Sequence, residues 1–143
     1  MKLYHGSSRK LKILKPKQAT GIYKKEDRQI GIYATNNKEK AIAMAMIHLK
    51  GIVGPTRMSF PKGEIIGIIF GGWPTQKYFY LYTLSSKSFS KLDEWQYISK
   101  ENIVPLKIGK LETKNYSHLI RFATKKEKES LQKGLKKFKE KKI

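Results

Sequence analysis

His5, Tyr33 and Glu94 are the side chains whose types and settings could do chemistry in this chain. His5 stands in "YHGSS", at the end of a short apolar run and before a glycine and two serines. Tyr33 stands in "GIYATNNKEKAIAMA", at the end of a second apolar run and directly before a helix start. Glu94 opens the β-prone stretch "EWQYIS", with Asp93 before it. An imidazole, a phenol and a carboxylate can bind, stack and carry charge. Each also has an ordinary role: a structural histidine, a core tyrosine, a solvated glutamate.

Other chemistries find no residues to carry them. The chain has no cysteine, which removes disulfides, thiolate nucleophiles and thiolate metal sites together. Its three histidines, His5, His48 and His118, are far apart, so a zinc site would need distant carboxylates and no metal is expected. There is no Gly-x-Ser-x-Gly, no Walker loop and no Gly-x-Gly-x-x-Gly. "FGGWP" is glycine-rich without a lysine cradle and reads as a turn.

The elements that must position these groups are short strands around one or two helices. "KLYHG" (2–6) and "IGIYAT" (30–35) read as strands, joined through a loop with a short helix stopped at Pro16 and an exposed polar loop, "KKEDRQ", at 24–29. Asn36 followed by Glu39 fits an N-cap with its capping-box partner, opening a helix over 37–50 that Gly51 ends. "PTRMSF" (55–60), "EIIGIIFGG" (64–72), "YFYLYTLS" (78–85), "EWQYIS" (94–99) and "VPLKIGKLE" (104–112) read as further strands. The continuous apolar run at 64–72 marks a central strand covered on both faces. Between them, 86–93 reads as a polar loop with an exposed Phe89. After Thr113 a helix is expected over 114–122. A second capping box, Thr124 with Glu127, opens a lysine-rich helix with Leu131, Leu135 and Phe138 on one face. The whole is expected to be a single domain, with 1–113 the globular part and 114–143 a helical extension.

Lys and Arg number 31 against 11 Asp and Glu, a net charge of +20. Such a charge draws polyanions by counterion release, and nucleic acid is the first partner it suggests. A lysine-rich composition without a nucleic-acid role accounts for the same numbers. The opening residues lack the apolar core of a signal peptide. No apolar run approaches the ~18 residues of a membrane span. The expectation is a cytoplasmic protein that does not engage a membrane.

Taken in order, "YHGSS", "GIYATNNKEKAIAMA" and "DEWQYIS" resemble the His–Tyr–Glu signature of the diphtheria-toxin-like and poly(ADP-ribose) polymerase-like ADP-ribosyltransferases. The resemblance covers about residues 3–105. It implies an α+β fold, a split β-sheet whose halves part to form a cleft for NAD, with a few helices and a basic C-terminal helix. It implies NAD as the donor substrate and no metal. Carried over by position, His5 would bond a ribose hydroxyl and Gly6 would grip the nicotinamide amide through its backbone, with Ser7 beside it. Tyr33 would lie on the nicotinamide ring, with Ala34 beside it and Met44 on the helix opposite. Glu94 would stabilise the positive charge that builds on the ribose as the glycosidic bond breaks. Phe89 would anchor the loop that chooses the acceptor. A toxin-like role, and with it an inhibitory partner protein, belongs to the same analogy.

The chain departs from that family in three places. The helix after Tyr33 reads Ala41, Ile42, Ala43, Met44, with no second stacking aromatic. Leu92 stands two residues before Glu94, where arginine-modifying members have an acidic or amide residue. Arg9, Arg28, Arg57 and Arg121 do not form the paired pattern of the RNA 2′-phosphotransferase relatives. Two other readings stay open: a non-enzymatic nucleic-acid-binding domain, and a silent member of the same fold that binds a nucleotide.

Overall fold

The computed structural model describes residues 1–18 and 30–141, with the side chains of Gln18 and of residues 135–141 left out. The loop expected at 24–29, Arg28 and the side chains of Leu135 and Phe138 lie outside the described residues. The fold is α+β. Its main sheet runs in the order β7 (Ser90–Lys91), β8 (Gln96–Ser99), β3 (Ile30–Thr35), β1 (Lys2–Ser7), β6 (Tyr78–Ser85) and β9 (Lys107–Glu112), with β2 (Lys17–Gln18) also on β3. These neighbours are antiparallel. A smaller sheet has β5 (Ile66–Ile69) in its centre, antiparallel to β4 (Thr56–Ser59) and parallel to β10 (Ile120–Phe122).

Two apolar clusters cover the two faces of the main sheet. Helix α1 (Lys38–Met46) lies against β1 and β3 and packs with Ile69, Phe79, Leu81, Leu119 and Ile120. On the opposite face Leu3, Ile32, Ala34, Tyr82 and Leu84 pack beneath Leu11, Leu14 and Ile103. An antiparallel bridge from Leu14 to Ile103 ties that cover down. The apolar run at 64–72 yields β5, in which Ile68 and Ile69 are fully buried, as expected of a central strand. Gly72 follows it at φ +73, where a Cβ would run into the Gly51 carbonyl oxygen.

Several boundaries differ from the sequence reading, each for a local reason. No helix forms over residues 8–16; Leu14 pairs with Ile103 instead. The cap of α1 is Asn37, whose side chain accepts from the Lys40 N–H at 3.0 Å, while the Asn36 position is exposed before it. Asn37 is itself held by the Thr35 hydroxyl, at 3.1 Å from its N–H, which shifts the start by one residue. The helix stops at Met46, well before Gly51. The helix expected over 114–122 is a 3-10 segment, Thr113–Leu119, followed by β10, so the chain after Thr113 completes the small sheet.

The second capping box forms as expected at the start of α2 (Lys125–Lys141). Thr124 N–H donates to Glu127 Oε1 at 2.9 Å, and Glu127 N–H donates to Thr124 Oγ1 at 3.2 Å. Among the described residues, no helix is long and apolar enough to cross a membrane.

Candidate functional site

The main sheet is paired unevenly about β1. All six residues of β1 pair with β6, but only Tyr4 pairs with β3, opposite Thr35. Beyond that row the two strands part. His5 bridges the parting: its Nδ1 lies 2.6 Å from the Tyr33 carbonyl oxygen. A carbonyl only accepts, so Nδ1 carries the proton and the neutral ring keeps Nε2 as an acceptor. Burial pushes the imidazole below its ordinary pKa; the Tyr33 carbonyl opposes this, and the charge of Lys17 adds to it. His5 is therefore neutral at physiological pH.

A buried tyrosine holds the surroundings of this ring. Tyr82, opposite His5 on β6, has its ring centroid 6.2 Å away. Its hydroxyl accepts from the Leu11 N–H and donates to the Arg9 carbonyl, both at 2.7 Å. Those two bonds fix the segment after β1 over the sheet. Burial raises the Tyr82 pKa, so the phenol stays a donor.

Alternation along the strands then divides the candidates between the faces. Tyr4 opposite Thr35 places Gly6 and Tyr33 on the face that carries α1, and His5 with Ala34 on the other. A Cβ on Gly6 would lie 2.4 Å from Ala45 Cβ and 2.9 Å from the Ala41 carbonyl. The glycine is thus required by the approach of α1, and Ala41 and Ala45 are small for the same reason. Ala34 is buried in the opposite core with Leu3 and Tyr82. Ser7 is half-buried, and its hydroxyl accepts from the Arg9 N–H at 3.2 Å. Met44 is half-buried on α1.

Glu94 does not open β8; the strand starts two residues later, at Gln96. Leu92 N–H and Asp93 N–H donate to the Gln96 carbonyl at 2.9 and 3.3 Å, closing a hairpin turn. The Asp93 carboxylate accepts from Trp95 N–H and Gln96 N–H at 3.0 and 2.8 Å. Glu94 is exposed at the tip of that turn. The row that contains Gln96 also contains Thr35 and Tyr4. Counting rows, Glu94 lies on the far side of it from His5 and Tyr33, roughly 10 Å or more along the strand direction at ~3.3 Å per residue.

The sequence reading missed Gln96. It faces the same side of the sheet as Tyr33, diagonally across from it, within the reach of long side chains. Its Oε1 is buried and has no hydrogen-bond partner among the described residues. Only the register of β8 against β3 reveals it. Beside Glu94, Trp95 packs edge-on against Phe60 with ring centroids 5.3 Å apart. The Lys40 ammonium lies 4.5 Å from the Phe60 centroid and 5.1 Å from that of Trp95. Phe89, expected exposed, is half-buried against the Leu3–Tyr82 cluster, so it anchors the loop to the sheet.

A groove of about 710 Å³ opens beside the start of α1, lined by Tyr4, Asn36, Asn37, Glu39, Tyr116 and His118 among others; His5, Tyr33 and Glu94 are outside its lining. No protein-family model, curated protein or solved structure matches the chain.

Proposed function

We propose that the chain is an ADP-ribosyltransferase-like enzyme that takes NAD as donor substrate where β1 and β3 part. One observation carries the reading: the His5 Nδ1 contact with the Tyr33 carbonyl at 2.6 Å, made where the pairing of β1 with β3 stops. The bond orients the ring and leaves Nε2 to accept from a ribose hydroxyl, as the resemblance implies. A sheet whose halves part is also what the resemblance implies. Tyr33 and Gln96 on the α1 face would receive the nicotinamide end; the resemblance also assigns the Gly6 backbone, but α1 fills the space over that glycine. Breaking the nicotinamide–ribose bond leaves positive charge on the sugar, and a carboxylate beside it stabilises that state more than the ground state. Glu94 is the carboxylate the resemblance assigns. With a net charge of +20, nucleic acid is the acceptor class to test first.

A second reading is favoured by Gln96. An amide, not a carboxylate, stands in the strand beside Tyr33, and its buried Oε1 has no partner among the described residues. On this reading the protein binds NAD or a related nucleotide with little or no turnover.

One experiment separates the two. NAD labelled in the adenylate is incubated with separate pools of DNA, RNA and protein, and nicotinamide release is measured alongside label transfer. If Glu94 is catalytic, Glu94→Gln lowers turnover ~10²-fold or more. If Gln96 occupies the catalytic place, Glu94→Gln turns over like the wild type and Gln96→Glu gains activity. Thermal stabilisation by NAD without nicotinamide release selects the second reading. No release and no thermal shift overturns both, and salt-dependent binding of DNA or RNA then remains as a binding domain.

A further inference from the structure

The main sheet ends on one side at β7, two residues long, and on the other at β9, six residues long. No strand but β6 pairs with β9 among the described residues. The Thr113 N–H donates to the Lys77 carbonyl at 2.9 Å, in the register that sets Tyr78 opposite Glu112. Antiparallel bonding alternates, so residues 107, 109 and 111 bond to β6, while Ile108, Lys110 and Glu112 turn their N–H and carbonyl groups outward. The α1 face of the strand is open at Gly109, where a Cβ would meet only the Leu81 carbonyl, at 3.7 Å.

Aliphatic side chains gather along this edge. Val104 is 70% exposed and Leu106 62%, and Ile108 is exposed on β9 itself. The antiparallel bridge from Leu14 to Ile103 sets Ile13, also exposed, opposite Val104. The Leu106 N–H donates to the Thr83 carbonyl at 2.8 Å, so the segment leading into β9 is held to the sheet. Exposed aliphatic groups gathered beside unpaired main chain mark an interaction surface.

Its charge says what fits. Lys12 and Lys15 stand beside Ile13 in the chain, Lys107 and Lys110 lie on β9, and all four are exposed. The acid on β9, Glu112, pairs with Lys114 at 3.4 Å. Lysines on an edge keep copies of the same chain apart, and two chains of +20 repel each other. The same lysines attract an acidic partner. Outward main-chain groups and aliphatic side chains suit a polypeptide strand better than a nucleic acid, whose bases stack on aromatic rings. We propose that β9 receives an extended acidic segment of a partner protein, added to the sheet as a further strand. Its apolar residues would meet Val104, Leu106 and Ile108, and its carboxylates the lysines. This surface is independent of the NAD reading.

The test uses a peptide alternating glutamate and valine as probe against the full chain, read by amide hydrogen exchange in NMR spectra. At about ten times its Kd the peptide is expected to slow exchange at Ile108 and Lys110 about tenfold, while Gly109, already bonded to β6, changes little. A peptide alternating lysine and valine is expected to leave both amides unprotected. Leu106→Asp sets a like charge against the acidic strand and should weaken it about fivefold or more. Val104→Asp, at a still more exposed position, takes its place should Leu106→Asp fail to fold. The proposal is overturned if the acidic peptide leaves Ile108 and Lys110 unprotected at millimolar concentration. It is also overturned if the lysine peptide protects them as well, or if the aspartate variant binds the acidic peptide like the wild type. Protection of the same amides by oligothymidylate would assign the edge to nucleic acid. A wild-type dimer in sedimentation that Leu106→Asp dissolves would assign it to a second copy, and either result overturns the proposal.

Discussion

Glu127 joins three separate parts of the structure, and removing it in two steps separates their contributions. Its carboxylate accepts from Arg121 Nη1 at 2.7 Å and Nη2 at 3.0 Å, from Arg57 Nη2 at 3.0 Å and from the Thr124 N–H at 2.9 Å. Arg57 is on β4, Arg121 on β10 and Thr124 at the cap of α2, so one side chain ties the helix to the small sheet. Glu127→Gln keeps an acceptor for the cap but removes the charge. The arginine side chains are 46% and 42% exposed, so solvent screens the pairs and the charge contributes about 1 kcal/mol. Glu127→Ala also removes the capping box, which contributes about 1 kcal/mol more. The expected losses are about 1 and about 2 kcal/mol, or drops in Tm of roughly 4 and 8 °C. Arg121 first, and then the cap at Thr124, hold the Glu127 carboxyl at about 2, against its ordinary 4.5. The charge contribution is therefore present above pH 4.5, fades as pH falls and is gone below about 2. Urea unfolding followed by circular dichroism at pH 7 and at pH 2.5 measures this (about two units either side of the ordinary carboxylate range). A wild type and Glu127→Gln of equal stability at pH 7, or a gap that persists undiminished in acid, refutes the reasoning.

Two further outcomes bear on the candidate site. His5 has its pKa lowered in the folded state, so the unfolded chain protonates first as pH falls below 6.5 and the native state loses stability there. His5→Gln should reduce the slope of the stability profile between pH 7 and 5, measured by urea unfolding, and leave the part that comes from His48, whose pKa burial also lowers. Gly6→Ala sets a methyl against Ala45 Cβ and the Ala41 carbonyl. It should cost about 1–3 kcal/mol by overpacking, seen as a lower urea midpoint, whereas a glycine kept only for ligand approach would show no such loss.

The fold was legible wherever one pattern dominated. The runs 30–35 and 78–85 became β3 and β6 without a shift of boundary, because alternation and β-branched or aromatic residues agree there. The Thr124–Glu127 box was readable because its reciprocal bonds are local. The stretch 114–122 misled: "KNYSHLIRF" has residues at helical spacing, but Ile120–Phe122 finds an open edge on β5, and that partner lies some fifty residues earlier in the chain. A tertiary pairing of this kind leaves no local trace. Gly6 was visible as a glycine that something must approach closely, but the sequence could not distinguish a ligand from the helix that fills that space.

The placing of Glu94 and Gln96 shows where such reading stops in principle. Side chains on a strand repeat every second residue, so sliding β8 by two leaves every face unchanged. Hydrophobic pattern therefore cannot tell whether residue 94 or residue 96 stands opposite Thr35. The choice is made by polar contacts. Asp93 accepts from two N–H groups of the turn, and the Ser88 and Ser99 hydroxyls meet at 3.0 Å between β8 and the loop before β7. Together they close the turn so that Gln96, with Ser99 three residues on, enters the sheet and Glu94 stays at the tip. An amide rather than a carboxylate thus stands in the row of Thr35 and Tyr4, in a register held by an aspartate, main-chain bonds and a pair of serines on the hairpin, not by the residues that would meet the substrate.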